Sequence, residues 1–229
     1  MHILAIASRK GGSGKTTLTG HLSVEAERQG HGPVAILDID PQGSLADWWN
    51  ERAASTPVFV NTSLDTLAAD IEQLRTAGIR TVIIDTPPAI TGAIRQVVEV
   101  SDLVLIPTRP SPHDLRSVNA TVALVEDMET PLVFVINAAT PRARITREAV
   151  VALSQHGPLA PSLIHHRVDF AASMIDGRTV MEIPGAQLAK IEIERTWEYL
   201  AHRLGIVRSF PSVASRLEAN DVEELKVAV

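Results

Sequence analysis

The 229-residue sequence predicts an α/β fold: a doubly wound, mostly parallel sheet with helices on both faces. The first observation behind this prediction is a series of short apolar runs, rich in β-branched residues and not alternating, which is typical of strands buried on both faces. The second is that stretches of helical length separate these runs. Strands that alternate with helices in this way are typical of a doubly wound sheet.

The apolar runs define the predicted strands. The six runs predicted as strands are Ile3–Ala7, Val34–Leu37, Val58–Val60, Thr81–Ile84, Leu103–Ile106 and Leu132–Ile136. A seventh run, Leu163–Ile164, is a weaker candidate because it is so short.

Six helices are predicted between and after these strands. They are Thr16–Gln29, Ser44–Ala54, Ser63–Ala77, Ser111–Glu129, Ile145–Gln155 and Gly185–Leu204. Gly30 follows the first helix, and glycine is common just beyond a helix C-terminus. Ser44 is predicted to cap the second helix. Pro112 stands in the first turn of the fourth, where its missing N–H costs nothing.

A single domain is predicted over residues 1–207, because neither an internal repeat nor a low-complexity segment divides them. This length is enough for one α/β domain with a sizeable core. Residues 208–229 come after the last predicted helix. They are predicted as a C-terminal extension that forms either one more short helix or a mobile tail.

Composition excludes several classes of protein. The sequence contains no cysteine, which excludes disulfides, zinc–thiolate sites, iron–sulfur clusters and a cysteine nucleophile. No apolar run approaches the ~18 residues that a membrane helix needs. Arg9 and Lys10 follow the apolar N-terminal stretch instead of preceding it, which is the wrong order for a signal peptide. The expected location is therefore the cytoplasm.

The strongest functional signal is the run RKGGSGKTT, which lies between the first predicted strand and the first predicted helix. Glycines let successive backbone N–H groups converge on phosphate oxygens, and the helix N-terminus adds partial positive charge. Lys15 is expected to reach the β- and γ-phosphates of ATP, and the Thr16 hydroxyl to ligate Mg²⁺. The residues expected to bind the nucleotide here are Lys10, Gly11, Gly12, Ser13, Gly14, Lys15, Thr16 and Thr17.

This phosphate loop departs from the common pattern G-x-x-x-x-G-K-[ST], because Arg9 stands where the first glycine belongs. It also has a second lysine, Lys10, at its outer edge. From there, Lys10 cannot easily fold onto the γ-phosphate of its own nucleotide, but it can reach the phosphates of a nucleotide bound in a facing subunit. This form resembles the deviant phosphate loop of the ParA/MinD superfamily of dimerising ATPases.

The resemblance to ParA/MinD proteins covers roughly residues 1–207 and implies the fold of P-loop NTPases. It implies ATP and Mg²⁺ as cofactors and a homodimer that forms on ATP binding, with Lys10 contacting the partner's phosphates. Lys10, Lys15 and Asp40 are the catalytic residues that it implies.

Two carboxylates, Asp38 and Asp40, end the second predicted strand. Alternation along a strand places both on the same side, at the edge of the sheet where ligands bind. Their alternative role is to cap the following helix. The run DIDPQGS is similar to a ParA segment, and this implies that Asp40 positions the attacking water while Asp38 supports the Mg²⁺ shell.

Asp85 and Asn137 end two further predicted strands. Four apolar residues precede Asp85, and a carboxylate in this position can hold a Mg²⁺-bound water. The continuation DTPP resembles the switch segment of ParA proteins. Thr16, Asp38 and Asp85 are therefore the expected metal-binding residues. The resemblance also implies that Asn137 recognises adenine, although an asparagine here can simply form a turn.

The resemblance further implies that the ATP-bound dimer binds DNA without sequence preference and associates with the nucleoid. A small adaptor protein would stimulate slow ATP hydrolysis, so that a plasmid, chromosome or protein complex is partitioned or positioned. The net charge of −6 lies in residues 1–137, whereas residues 138–216 hold ten basic and seven acidic side chains. The expected DNA contacts are Arg167, Arg195, Arg203 and Arg208, each with a solvated helix surface as its alternative.

Two other functions of this fold remain as alternatives. MinD-like proteins cycle on membranes through a basic amphipathic C-terminal helix. Residues 212–229 carry two basic and four acidic side chains, so no membrane binding is expected. Metabolic ligases and kinases also share the fold, but they generally lack the second lysine of the phosphate loop.

Overall fold

The computed structural model describes residues 1–88 and 91–206. The predicted extension, residues 208–229, lies outside the described residues. The prediction that residues 1–207 form one domain stays a prediction.

The sheet has six strands, and every neighbouring pair is parallel. The strand order is β3-β2-β4-β1-β5-β6. The strands are β1 (His2–Ile6), β2 (Val34–Asp38), β3 (Val58–Asn61), β4 (Thr81–Asp85), β5 (Leu103–Thr108) and β6 (Leu132–Ile136). All six predicted strands are thereby confirmed, with boundaries shifted by at most two residues.

Helices cover both faces of the sheet, which confirms the predicted doubly wound α/β fold. The helices are α1 (Lys15–Arg28), α2 (Ser44–Asn50), α3 (Leu67–Thr76), α4 (Thr91–Glu99), α5 (Pro112–Asp127), α6 (Arg144–Ser154), α7 (Val168–Met174) and α8 (Gln187–Arg203). One core cluster joins α3, α4, α5 and α6 to one face of the sheet. The other joins α1, α2, α7 and α8 to the opposite face.

Two helices, α4 and α7, were not predicted. In α4, the buried residues Ile94, Val97 and Val98 have helical spacing, and this signal could have identified the helix. Helix α7 is only seven residues long, so it contains too few repeats of the pattern to stand out.

The weak strand candidate Leu163–Ile164 is not a strand of the sheet. Its Ile164 N–H donates to the Ile136 carbonyl at 2.9 Å, so the segment does run beside β6. The contact is limited to isolated bridges, such as that between Ala139 and His165. Two residues are too few to continue the ladder.

The carboxyl ends of three neighbouring strands, β2, β4 and β1, meet at one edge of the sheet. In the register of the sheet, Asp85 pairs with Asp38 on one side and with Ile6 on the other. The phosphate loop leaves β1 directly after Ile6. The fold therefore brings the loop, Asp38 and Asp85 together, as is usual for ligand sites of open α/β sheets.

Candidate nucleotide-binding site

The phosphate loop ends at Gly14, the residue before α1. Gly12 and Gly14 have φ angles of 72° and 96°, in the left-handed region that favours glycine. A Cβ atom at Gly14 would also lie 2.0 Å from Asn137 Nδ2, so no larger residue fits there. These glycines allow the loop to turn tightly and to present the N-terminus of α1 to a phosphate group.

Lys15 lies in the first turn of α1, beneath the loop, and is only 7% exposed. Burial lowers the pKa of its ammonium group, and attraction to Asp85 and Asp40 opposes this shift. A buried lysine between carboxylates at a helix N-terminus is suited to binding phosphate. The position predicted for Lys15 is therefore compatible with contacts to the β- and γ-phosphates.

Asp85 is the most perturbed carboxylate of the site. It is 1% exposed, and burial raises its pKa to about 7. The Thr16 hydroxyl donates to Asp85 Oδ2 at 2.5 Å, and this hydrogen bond and the charge of Lys15 counteract part of the rise. Asp85 Oδ1 is buried and accepts no hydrogen bond from the described residues.

The surroundings of Asp85 fit a bound Mg²⁺ ion. An unpaired, buried carboxylate oxygen next to a threonine hydroxyl supplies the hard oxygen ligands that Mg²⁺ prefers. Within residues 1–88 and 91–206, no three His, Asp or Glu side chains are grouped as metal ligands. Phosphate oxygens and water would therefore have to complete the coordination, as is usual for Mg²⁺ at nucleotide sites.

Asp38 accepts hydrogen bonds from the backbone of α2 and of the turn before it, and its support of the metal shell stays a prediction. Its Oδ1 accepts the Asp40 N–H at 2.9 Å, and its Oδ2 accepts the N–H groups of Leu45 and Ala46 at 3.1 and 3.3 Å. Asp38 thus caps α2, which was the alternative left open by the sequence. The predicted N-cap, Ser44, is wrong because the cap residue is Gly43, with φ 67°.

Asp40 lies in the turn between Asp38 and α2 and is half-buried. Its Oδ1 accepts the Gln42 N–H at 3.0 Å, which fixes the side chain within the turn. Its charge raises the pKa of both Lys15 and Asp85, so it acts directly on the site. Asp40 also borders a cleft of about 730 Å³ that extends towards β3.

Asn137 contacts the phosphate loop, and its recognition of adenine stays a prediction. Its Nδ2 donates to the Ser13 carbonyl at 2.7 Å, and its Oδ1 accepts the Ala138 N–H at 2.9 Å. Both polar groups of the amide therefore bind backbone atoms. In this structure Asn137 braces the loop.

Lys10 differs from Lys15 in its exposure. It is solvent-exposed at the rim of the loop, whereas Lys15 is buried beneath the loop. The two lysines of the motif therefore lie in different environments.

The structure describes three of the four predicted DNA contacts. Arg167 binds Glu192, which is 7% exposed, at 2.7 Å, so its guanidinium is paired within the protein, and its contact with DNA stays a prediction. Arg195 and Arg203 are exposed on α8. Arg208 lies outside the described residues.

Arg52 makes an ion pair whose partner lies far along the chain. Its side chain is 3% exposed and binds Glu182 through two hydrogen bonds of 2.6 and 2.8 Å. It also donates to the carbonyls of Thr56 and Gly177, at 2.7 and 2.8 Å, and its guanidinium lies over the ring of Trp48. This α2 clamp (Arg52, Glu182, Trp48 and Gly177) fixes α2, the helix capped by Asp38.

A phosphate loop after β1, a buried lysine and a carboxylate at the end of β4 define a P-loop nucleotide-binding protein. The chain belongs to the CbiA family, the CobQ/CobB/MinD/ParA nucleotide-binding domain, which matches residues 4–180. This confirms the predicted membership of the ParA/MinD superfamily, whose members are ATPases.

Among curated relatives, the chain is 30% identical to the maintenance of carboxysome distribution protein A of Halothiobacillus neapolitanus. The match extends over 189 residues, which are 79% of this chain and 87% of the relative. The protein of the same name from Gloeobacter kilaueensis is 37% identical over 122 residues, 52% of this chain and 55% of the relative.

Solved structures have the same fold. An alanine variant of Cyanothece McdA in complex with ATP has a TM-score of 0.70 and 19% identity, covering 92% of this chain and 98% of that chain. MinD from Pyrococcus horikoshii, in complex with Mg-ADP, has a TM-score of 0.74 and 15% identity, covering 91% of this chain and 99% of that chain.

In residues 1–88 and 91–206, no helix is both long and apolar enough to cross a membrane.

Proposed function

We propose that this protein is a ParA-type ATPase that dimerises with ATP, binds DNA non-specifically and positions or partitions a cargo. The observation that carries this proposal is the pair of loop lysines: Lys15 is buried beneath the loop and Lys10 is exposed at its rim. The names of relatives that maintain carboxysome distribution support a protein complex as the cargo. A small adaptor protein stimulates hydrolysis, and the ATP-bound dimer associates with the nucleoid.

In this proposal the loop and its neighbours bind ATP. Lys15 contacts the β- and γ-phosphates, and the backbone N–H groups at the start of α1 surround them. Thr16 and Asp85 hold Mg²⁺, whose charge, when it is bound, neutralises the phosphates. Asn137 keeps the loop in position through its hydrogen bond to the Ser13 carbonyl.

Hydrolysis requires a group that orients water towards the γ-phosphate, and Asp40 is the proposed group. Asp38 holds the Asp40 N–H and also the first turn of α2, so the turn between them is fixed at both ends. Asp38 therefore acts as a positioning residue. Asp40 is half-buried, and its charge raises the pKa of both Lys15 and Asp85. In this proposal Asp40 acts on the reacting atoms.

We expect Lys10→Ala to bind ATP normally but to lose ATP-dependent dimerisation. The reason is that the exposed ammonium group contacts phosphates only in a facing subunit. Light scattering with and without ATP measures the change in mass, and Arg9→Ala, at the neighbouring exposed position, is the control. A normal ATP-dependent dimer of Lys10→Ala would exclude this role.

We expect Asp40→Ala to lower ATP turnover by about 100-fold or more, because a positioned acid–base group contributes roughly 10²–10⁴-fold. Its dimer should persist on DNA, since ATP is bound but not consumed. Phosphate release measures turnover. Asp65→Ala is the matched control, because Asp65 is an exposed carboxylate that borders the same cleft; unchanged turnover of Asp40→Ala contradicts the assignment.

DNA binding is proposed to involve Arg195 and Arg203, which are both exposed on α8. ATP-dependent retention on duplex DNA should fall steeply with salt, because phosphate contacts release counterions. The variant Arg195→Ala/Arg203→Ala should lower the slope of log affinity against log salt by about two. Arg75→Ala, exposed on α3, should leave the slope unchanged, and absence of retention at low salt contradicts DNA binding altogether.

A further inference from the structure

Helix α6 has an outer face that combines cations with apolar side chains. Val151 is 60% exposed and Ile145 is 38% exposed. Arg147 is exposed, and the side chain of Arg144 stays 85% exposed although it binds Glu148 at 2.8 Å. A cleft of about 400 Å³ opens on this face. We call this cleft the α6 groove, and its lining residues are Arg144, Arg147, Glu148, Val151, Ala152 and Gln155.

The charges in the first turn of α6 are opposite to those that a helix dipole favours. A helix N-terminus carries partial positive charge, so carboxylates stabilise it and cations do not. The first turn of α6 holds Arg144 and Arg147 but no acidic residue, and its N-cap residue, Ala143, makes no side-chain cap. In residues 1–88 and 91–206, Glu148 is the only carboxylate that pairs with either arginine. Further carboxylates would therefore stabilise this end of the α6 groove.

The described chain ends at the same edge of the sheet as α6 does. Trp197, in the second half of α8, donates from Nε1 to Nδ1 of His31 at 2.9 Å, and His31 lies just before β2. A Cβ atom on Gly157, just after α6, would lie 2.9 Å from Leu132, the first residue of β6. All strands of a parallel sheet begin at one edge, so the ends of α8 and α6 both lie there.

The sequence continues for 23 residues beyond Ile206, and part of this stretch matches the α6 groove in chemistry. Residues 217–225, LEANDVEEL, hold four carboxylates and no cation, together with Leu217, Val222 and Leu225. We call residues 217–225 the acidic segment. When extended, residues 207–216 span roughly 30 Å, about three helix diameters. This length suffices to pass round the β6 edge of the sheet, from the face that α8 covers to the face that α6 covers.

We propose that the acidic segment of this chain binds in its own α6 groove. Its apolar side chains cover Val151, and its carboxylates contact Arg144 and Arg147. The DNA backbone would supply charge for the arginines but no apolar surface for Val151. A separate partner protein would have to compete with a segment that is covalently attached, whose effective concentration is about millimolar. The acidic segment of a second copy has the same chemistry, and the test below distinguishes it.

Disulfide trapping in the full chain tests this docking, because the sequence contains no cysteine that could react instead. Val151→Cys is combined in turn with Leu217→Cys, Val222→Cys and Leu225→Cys. A disulfide requires Cα atoms within about 7 Å of each other. We therefore expect at least one of these pairs to close at least tenfold faster than its matched pair with Val168→Cys, at an apolar residue of α7 that is 77% exposed.

Charge reversal separates docking from mere proximity of the two cysteines. Arg144→Glu/Arg147→Glu should slow the fastest pair at least fivefold, because the groove then repels the acidic segment. Reversing the segment as well should restore most of the rate, and urea denaturation checks that each variant remains folded. The compensating substitutions are Glu218→Lys/Asp221→Lys/Glu223→Lys/Glu224→Lys.

Three results would overturn the proposed docking. The first is that no pair closes faster than its Val168→Cys counterpart. The second is that charge reversal in the groove leaves the rate unchanged. The third is that the fast disulfide joins two chains on a non-reducing gel, which would assign the groove to the segment of a second copy.

A docked acidic segment also keeps Arg144 and Arg147 from contacting DNA phosphates, a consequence that rests on the proposed DNA binding. Neutralising the segment should raise retention on duplex DNA at low salt at least threefold, and adding Arg144→Ala/Arg147→Ala should remove this gain. The neutralising substitutions are Glu218→Gln/Asp221→Asn/Glu223→Gln/Glu224→Gln. An equal gain with and without the two arginines contradicts this masking. Absence of any DNA retention contradicts the proposed function, while the disulfide rates still decide the docking.

Discussion

Replacing Lys15 by alanine is expected to weaken ATP binding by about 100-fold or more. Lys15 is buried beneath the phosphate loop, beside Asp85 and Asp40. In the proposed complex the charge pair is formed by the Lys15 ammonium group and the phosphates, and truncating one partner of such a desolvated pair costs about 2–5 kcal/mol. A difference of 1.4 kcal/mol corresponds to about tenfold in affinity. Without the ammonium group, Asp85 and Asp40 would also face the phosphates uncompensated. Isothermal titration calorimetry with a non-hydrolysable ATP analogue and Mg²⁺ measures the loss.

Lys10→Ala is the matched control for this measurement, because it removes the same charge from the same loop at an exposed position. Its ATP affinity as a monomer should stay within about twofold of the wild type, since an exposed charge in water contributes little. Equal affinity of Lys15→Ala and wild type would contradict the site. A loss of affinity in Lys10→Ala as large as that in Lys15→Ala would contradict the division of roles between the two lysines.

The parallel sheet was predictable because its signal is local. Strands buried on both faces, such as Thr81–Asp85, are continuous apolar runs, and the phosphate loop identifies the strand before it and the helix after it. Helix α7 was not predicted because its sequence lacks such a local signal. Its inner side has few buried residues and its outer side is apolar, so no clear amphipathic period remains.

The residues of the candidate site were predictable, but their partners were not. Asp38, Asp85 and Asn137 all lie at strand ends, where the sequence places them. Whether a carboxylate faces a cation or a backbone N–H depends on a few ångströms, and Asp38 caps α2 because that helix begins above it. The partner of Arg167, Glu192, follows it by 25 residues, and only the fold brings the two together.

The ion pair of the α2 clamp was not predictable from the sequence either, because Arg52 and Glu182 lie 130 positions apart. Arg52→Ala is expected to lower the free energy of unfolding by about 3–5 kcal/mol, since it leaves a carboxylate without its buried partner. Equilibrium urea denaturation measures the change. Arg178→Ala, which removes the exposed pair with Asp176 in the adjoining segment, is the matched control and should cause no measurable change.

The pH dependence distinguishes the lost ion pair from lost packing. In the wild type, burial alone would raise the pKa of Glu182, but hydrogen bonds and attraction from Arg52 outweigh it, so the pKa is lowered. A lowered folded-state pKa contributes stability that is present above the ordinary Glu value and is lost as the pH falls through the folded value. In Arg52→Ala that contribution is absent. The stability difference between wild type and variant should therefore be largest at neutral pH and shrink towards about pH 4. A difference that does not change with pH would assign the effect to packing around Trp48, and the clamp would then act through its shape and not through its charge.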